Sequence, residues 1–521
     1  MSPSGQDSIK LASEAELIAV FGGEATTLDP AVNWYPFGYF AIANCYECLF
    51  HYEKTGEAIP WVGLESYDMS PDAKTWTFRL KDGIRFHNGD RVDSYAVKWS
   101  IERAMYHAYG VAGVFTAGLG SDCKIETPDE LTVQMNLQRN TPYLPHVFAT
   151  PQGVPSIVNP KEVQAEGGDY PDVKAGETNP WLADHIAGSG PYRLVEYEVN
   201  QKIKLERFDD YWDGKKPQIP KYFTINRLDE EITRNQMVLK GDADFNGSPS
   251  PMGVADLENR PDVTIYKHPI SSWEGATLNC RDPILKNTKV RQALSYATPY
   301  EDIINVLARG YGVRCTSIFS TEGTIGYTPE IVYQYDLEKA KALLDEAGYS
   351  NGFKTQVGYG KPGNPYDIDI FANLLKDSWS KIGVEAELFY VSDEIGWGMV
   401  YEGKIPVYLG GWLGGSPGAT MVQTPEIFGS KGMDTGMNLA FFSNDEIDAK
   451  IEEISVMTSI QDMDQAFKDL HVMIYKEAPW IFVYNFAESL PFSNKVHVPY
   501  FAPTDIFYFQ PWVLEVTKEM S

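Results

Sequence analysis

Residues 74–105 read KTWTFRLKDGIRFHNGDRVDSYAVKWSIERAM. Trp76, Phe78 and Leu80 alternate with polar residues, the period-two pattern of a strand with one buried face. KDG follows as a turn signal. Asp93 then stands as the N-cap of a helix on which Val97, Ile101 and Ala104 share a face. Working outward, LIAVFGG from residue 17 reads as a strand, LDP at 28–30 as a turn, and NWYPFGYF at 33–40 as an aromatic loop. LTVQMNL (131–137), YRLVEYE (192–198), KIKLERF (202–208) and KYFTINRL (221–228) read as further strands.

After about residue 285 the texture changes to helical periodicity, at VRQALSYA (290–297), DLEKAKALLDEAG (336–348), IDIFANLLKDSWSKIG (368–383) and QDMDQAFKDLHVMIYKEA (461–478). In the second of these Asp336 is a candidate cap. Leu337, Ala340, Leu344 and Ala347 share a face, and Gly348 ends the helix. Strands are expected between the helices at KTQVGY (354–359), VEAELFYV (384–391), IPVYLGGW (405–412) and WIFVYNF (480–486). That alternation predicts an α/β domain with a largely parallel sheet. The polar, Gly- and Pro-rich segment 159–180 reads as an exposed loop or boundary.

The chain has 521 residues, 43% hydrophobic and 13% aromatic, so it is globular with two to four domains expected. Lys and Arg number 44 against 72 Asp and Glu, a formal charge of −28 that repels phosphate backbones and anionic membranes. Nucleic acid is therefore excluded as an expected partner. No run approaches the 18 or so apolar residues of a membrane span. The first twenty residues lack a basic start followed by an apolar stretch, so the chain is expected to be cytoplasmic or to have lost its signal. Five cysteines cannot all pair within one chain and do not form a disulfide scaffold.

The catalytic signatures fail at residues their chemistry needs. GYGKPG (358–363) satisfies G-x-G-x-x-G, but Pro362 has no amide for a phosphate. GGSPG (414–418) satisfies G-x-S-x-G, but an oxyanion hole needs the N–H after Ser416, and Pro417 has none. DADFNG (242–247) starts like a calcium loop, yet Gly253 stands where the bidentate Glu belongs, so a tight turn is expected. CYEC (45–48) has no second Cys pair and no nearby His; on a helix its two cysteines would share a buried face. No catalytic residue, metal ligand or cofactor site is nominated. Hydrolysis by a pair of carboxylates is not excluded by residue type, but no pattern selects two of the 72 acids.

The remaining signal is aromatic residues flanked by Gly, Ser or Pro: Trp34 and Tyr35 after LDP, Trp273 in SSWEG, Trp397 in EIGWG and Trp412 in GGWLGGSPG. Each offers flat apolar area with a polar tip, suited either to a ligand wall or to capping a core. As a set they point to a cleft. Asn246, Gly415 and Ser416 are counted with them as candidate ligand contacts.

The order of segments resembles the extracytoplasmic solute-binding proteins of ABC importers, of the large peptide/nickel-binding type known as bacterial extracellular solute-binding protein family 5. The runs that carry the resemblance are LDP (28–30), YECLF (46–50), TWTFRLKDGIRFHNGDRV (75–92) followed by Ser100 and Arg103, GSGPYRL (188–194), YW (211–212), VRQALSYA (290–297), KAKALLDEAGY (339–349) and APWIFVY (478–484). The resemblance implies an α/β, periplasmic-binding-protein-like two-lobe fold with an inserted third domain. It places domain I at 1–44, 186–266 and 487–521, domain II at 45–185 and domain III at 267–486. It implies capture of a small-molecule ligand between domains I and III by hinge closure, and delivery to a membrane permease. A monomer is expected, without a cofactor. Export to the periplasm or an anchored extracellular position follows from the same likeness.

One departure bears on the ligand. Peptide-binding relatives carry G-W-x-x-D-Y-x-D-P, whose first Asp pairs with the peptide's amino terminus. Here Gly411 and Trp412 match, but Gly415 and Ser416 replace that Asp and Tyr. A buried ammonium without a carboxylate carries a penalty of several kcal/mol. Either another acid such as Asp434 substitutes, or the ligand lacks a free amine. Oligosaccharides and opine-like or modified amino-acid compounds then compete with peptides.

Overall fold

The computed structural model describes the whole chain except residues 1–14, 25–26, 34–35, 53–57, 62, 109–114, 117, 121, 150–154, 215, 217, 319–323, 330–332, 361–367, 413–418, 500–509, 512–514 and 520–521. Its strands and helices largely follow the periodicities. Thr75–Leu80 is a strand with alternating burial, and Ser94–His107 is a helix capped by Asp93, whose side chain accepts the Ala96 N–H at 2.9 Å. Asp336 caps Leu337–Glu346 in the same way, accepting the Lys339 N–H.

Two long strands organise the molecule. Val263–Leu278 and Trp480–Ser493 pair antiparallel, from Val263 opposite Ser493 to Thr277 opposite Trp480. At roughly 3.3 Å per residue the first runs about 50 Å. They form the centre of an 11-stranded sheet. On one side lie Phe245–Asn246, Glu16–Phe21, Tyr222–Arg227, Lys202–Arg207 and Tyr192–Glu198; on the other lie Val407–Leu409, Phe353–Tyr359 and Val384–Tyr390, and the eleventh strand, Gly312–Arg314, pairs with Trp480–Ser493 off this path. Near one end Phe492 stacks on Phe245 (4.6 Å between centroids, 16°). Near the other, Phe482 packs against Trp273 at 5.6 Å. One strand thus supplies side chains to two separate hydrophobic cores.

Residues 45–185 carry sheets of their own, a four-stranded one of Leu64–Met69, Thr75–Leu80, Thr132–Asn136 and Lys124–Asp129, and the hairpin Phe50–Tyr52 with Ala58–Pro60.

Four expectations are corrected. The aromatic segment is not a loop: Pro36–Cys45 is an α-helix. Pro36 opens it with a φ already suited to the first helical position. Phe37, Phe40, Ala41 and Ile42 are all at most 1% exposed. A helix buried on every side shows no apolar stripe, which is why periodicity missed it. Cys48 lies beyond the end of that helix, so it shares no helical face with Cys45, and all five cysteines are free thiols. The later strands join a mixed sheet: Phe353–Tyr359 pairs parallel with Val384–Tyr390 and Val407–Leu409, whereas Val263–Leu278 pairs antiparallel with Val407–Leu409 and Trp480–Ser493. Finally, Trp273 lies within a strand and Trp397 within the helix Asp393–Tyr401, not in loops.

Candidate ligand site

Two buried polar knots fix the frame. Asp29 of LDP is sealed from solvent and accepts hydrogen bonds from Arg103 and from the Asn179 and Ala31 N–H groups. Glu47 of YECLF accepts from Tyr211 Oη (2.5 Å), Trp212 Nε1 (2.8 Å) and Ser189 Oγ (2.8 Å). Burial pushes its carboxyl up to about 7 against the pull of those three donors. The glycines of GSGPY fit the same place: a Cβ on Gly188 would lie 1.9 Å from the Cys45 carbonyl oxygen, to which the Gly190 N–H donates at 2.9 Å. Runs distant in sequence therefore meet in space.

In the later part of the chain Trp412 is held by its backbone. Its N–H donates to the Trp273 carbonyl at 2.8 Å, and its own carbonyl accepts the Trp273 N–H at 3.1 Å. Gly411 permits this approach, since a Cβ there would lie 1.8 Å from the Trp273 oxygen. The half-buried indole donates from Nε1 to Gln423 Oε1 at 2.8 Å, on the helix Ala419–Phe428. Trp412 is thus positioned at three points where the chain enters 413–418.

Beside it Glu274 is 5% exposed. Among the described residues its carboxylate accepts only the N–H of the next residue, Gly275, at 3.1 Å, beside an irregularity in the register with Trp480–Ser493. Burial pushes its carboxyl up to about 8, with no charged neighbour contributing.

The candidate contacts separate into groups. Trp34, Tyr35, Gly415 and Ser416 lie outside the described residues, and Trp397 is placed by its helix alone. Trp273 is fully buried between Trp480 and Phe482, a core residue whose backbone supports Trp412. Asn246 is also fully buried: its Oδ1 accepts from Arg234 Nε and the Ser248 N–H, and its Nδ2 donates to Asn235. Both acceptor positions of that amide serve the fold, which corrects its selection as a ligand contact. Asp434, the sequence's substitute acid, is exposed on the one-turn helix Gly432–Thr435. Glu274 was missed because nothing in the sequence distinguishes it from the other acids.

Among the described residues no group of three or more His, Cys, Asp or Glu could hold a metal. In the would-be calcium loop, Asp244 instead accepts the Ile18 N–H and pairs with Lys518, both at 2.7 Å. GGSPG and residues 361–363 of GYGKPG lie outside the described residues. No described helix is long and apolar enough to cross a membrane. Where residues 115–143 meet 421–467, a separate cavity of about 370 Å³ opens between Tyr143, Val422, Glu426 and Phe467.

Comparison with known proteins gives a family model for this arrangement. The model described as bacterial extracellular solute-binding proteins, family 5 middle, matches residues 57–432. The glutathione-binding protein GsiB of Pectobacterium atrosepticum is 26% identical over 512 residues, covering 96% of this chain and 94% of its own. Among solved structures, HbpA2 from Haemophilus parasuis superposes with a TM-score of 0.83 at 22% identity, covering 97% and 100% of the two chains. AgaA from A. tumefacien R10, in complex with agropinic acid, superposes with a TM-score of 0.77 at 24% identity, covering 97% and 99%. These structures share the two-lobe fold.

Proposed function

We propose a mode of capture from the premise that this chain belongs to the bacterial extracellular solute-binding proteins of family 5, the extracytoplasmic solute-binding components of ABC importers. The ligand is a small organic solute, an oligosaccharide, an opine-like compound or a modified peptide, enclosed by closure of two lobes about the strands Val263–Leu278 and Trp480–Ser493. Domain I comprises 1–44, 186–266 and 487–521, domain II 45–185, and domain III 267–486. The observation that carries this reading is Trp412, fixed by two backbone bonds to Trp273 and a side-chain bond to Gln423 at the start of the Gly-rich segment. A rigid aromatic held at three points gives contact area at low entropic cost. Trp34, Tyr35, Trp397, Gly415 and Ser416 complete the wall; Trp273 supports Trp412 through its backbone. Peptides are the second class of ligand. The protein acts as a monomer, anchored at or free outside the cytoplasmic membrane, and delivers its ligand unchanged to a permease.

Native mass spectrometry of gently purified protein, looking for a co-purified small molecule, tests capture directly. Calorimetry then uses a defined panel: glutathione, agropinic acid, di- to pentapeptides including Arg-containing ones, their N-acetylated forms, and neutral oligosaccharides. Binding of one class, with the compound recovered intact, supports the reading. Product formed beyond the amount of protein, and co-eluting with it, overturns it.

A further inference from the structure

We infer that Glu274 neutralises a cationic group, an ammonium or guanidinium, of the ligand held beside Trp412. The inference rests on the reading of that cleft given above. Among the described residues four acids are buried: Asp29, Glu47, Asp244 and Glu274. Asp29 is paired with Arg103 and Asp244 with Lys518, and Glu47 is met by three side-chain donors. Of the four, Glu274 alone has no cation and no side-chain donor among the described residues, only the adjacent Gly275 amide. An ionised carboxylate left this way costs several kcal/mol, whereas a cation arriving with the ligand completes the pair.

Its position suits that role. Glu274 directly follows Trp273, the residue bonded both ways to Trp412. A Cβ on Gly411 would lie 2.9 Å from its Cα, so the chain leading into the Gly-rich segment runs against it. The register irregularity lies in the partner strand, where Val483 is the extra residue between Tyr484, opposite Glu274, and Phe482, opposite Gly275. Tyr484 stands opposite in register, glycines 410 and 411 run alongside, and none of these is charged. The raised carboxyl pKa agrees with this surrounding: the empty site holds a proton near neutrality, and a cation displaces it.

The test runs the same panel against wild type, Glu274→Gln and Trp412→Ala. Glutamine keeps the shape and removes the charge, so the variant should fold with an unchanged or raised melting temperature. The tightest binder should carry a cation, and Glu274→Gln should weaken it about 10- to 100-fold, the range for a charge-assisted hydrogen bond. Its N-acetylated or otherwise neutralised form should bind both proteins alike. Wild-type binding should also release protons, read as a buffer-dependent enthalpy that Glu274→Gln abolishes. If Trp412→Ala loses binding while Glu274→Gln keeps it within threefold, the assignment of Glu274 is wrong and the cleft stands. If neither variant changes binding, the cleft reading falls and takes this one with it. Binders confined to uncharged compounds, or none in a panel containing ammonium and guanidinium groups, also overturn it.

Discussion

Arg103, on the helix Ser94–His107, donates to Asp29 in an ion pair whose side chains are 2% and 0% exposed. The pair ties the segment after the first strand to the first helix of 45–185, and the Asn179 N–H completes the carboxylate's coordination. Removing one partner leaves the other charge buried and uncompensated, which costs far more than the pair contributes.

Arg103→Ala should therefore destabilise the protein by about 3–5 kcal/mol. The double variant Arg103→Met with Asp29→Leu should cost less than Arg103→Ala alone. Urea denaturation monitored by tryptophan fluorescence reads both. A loss below about 1 kcal/mol for Arg103→Ala would show that water reaches the site after all.

Trp412→Ala should weaken the ligand by about 1–3 kcal/mol, the range for a buried aromatic contact at a binding hot spot. Its indole is half-buried and packs outside the Trp273–Trp480 cluster, so the fold should survive. An unchanged dissociation constant by calorimetry would remove Trp412 from the site.

Gly411→Ala should disturb more than its size suggests. Its methyl would meet the Trp273 carbonyl at 1.8 Å, so the backbone pairing must open. Overpacking of this kind costs roughly 1–3 kcal/mol in stability. Binding should fall together with it, since the displaced segment carries Trp412. Thermal melts and calorimetry on the same preparation check both; a variant that melts and binds like wild type contradicts the close approach.

Stability should peak near pH 6.5. Burial holds His51, His87, His107, His146 and His471 down to about 4. Because their folded values lie below the unfolded value of about 6.5, the stability they give is present above that pH and is lost as pH falls toward 4. For the fully buried His471 the difference is roughly 3 kcal/mol. Glu47 and Glu274 act oppositely, with folded values raised to about 7 and 8. Their contribution is complete below the unfolded value of about 4.3 and is lost as pH rises through 7 to 8. From pH 8.5 to 6.5 the two carboxyls dominate and stability rises; below 6.5 five imidazoles outweigh them and it falls. Denaturation midpoints at half-unit intervals test this, and a monotonic rise toward pH 8.5 would contradict it.

The sequence by itself determined the elements whose burial is one-sided and the family to which they belong. Strands such as Thr75–Leu80 and Tyr192–Glu198, and helices such as Leu337–Glu346, announce themselves because one face meets a core and the other meets water. LDP, YECLF, GSGPY and YW were legible as runs, but only the structure shows Asp29 meeting Arg103 and Glu47 meeting Ser189, Tyr211 and Trp212. The strand Val263–Leu278 escaped sequence reading because Pro269, Ser271, Ser272 and Glu274 break its alternation, and its partner Trp480–Ser493 is longer than its apolar start suggests. The helix Pro36–Cys45 escaped because it is buried all round. Which indole packs into a core, as Trp273 does, and which stands at the Gly-rich segment, as Trp412 does, depends on contacts between residues more than a hundred positions apart. The same holds for Glu274, one acid among many until the tertiary structure buries it with no cation beside it among the described residues, because desolvation is a property of the surroundings and not of the residue.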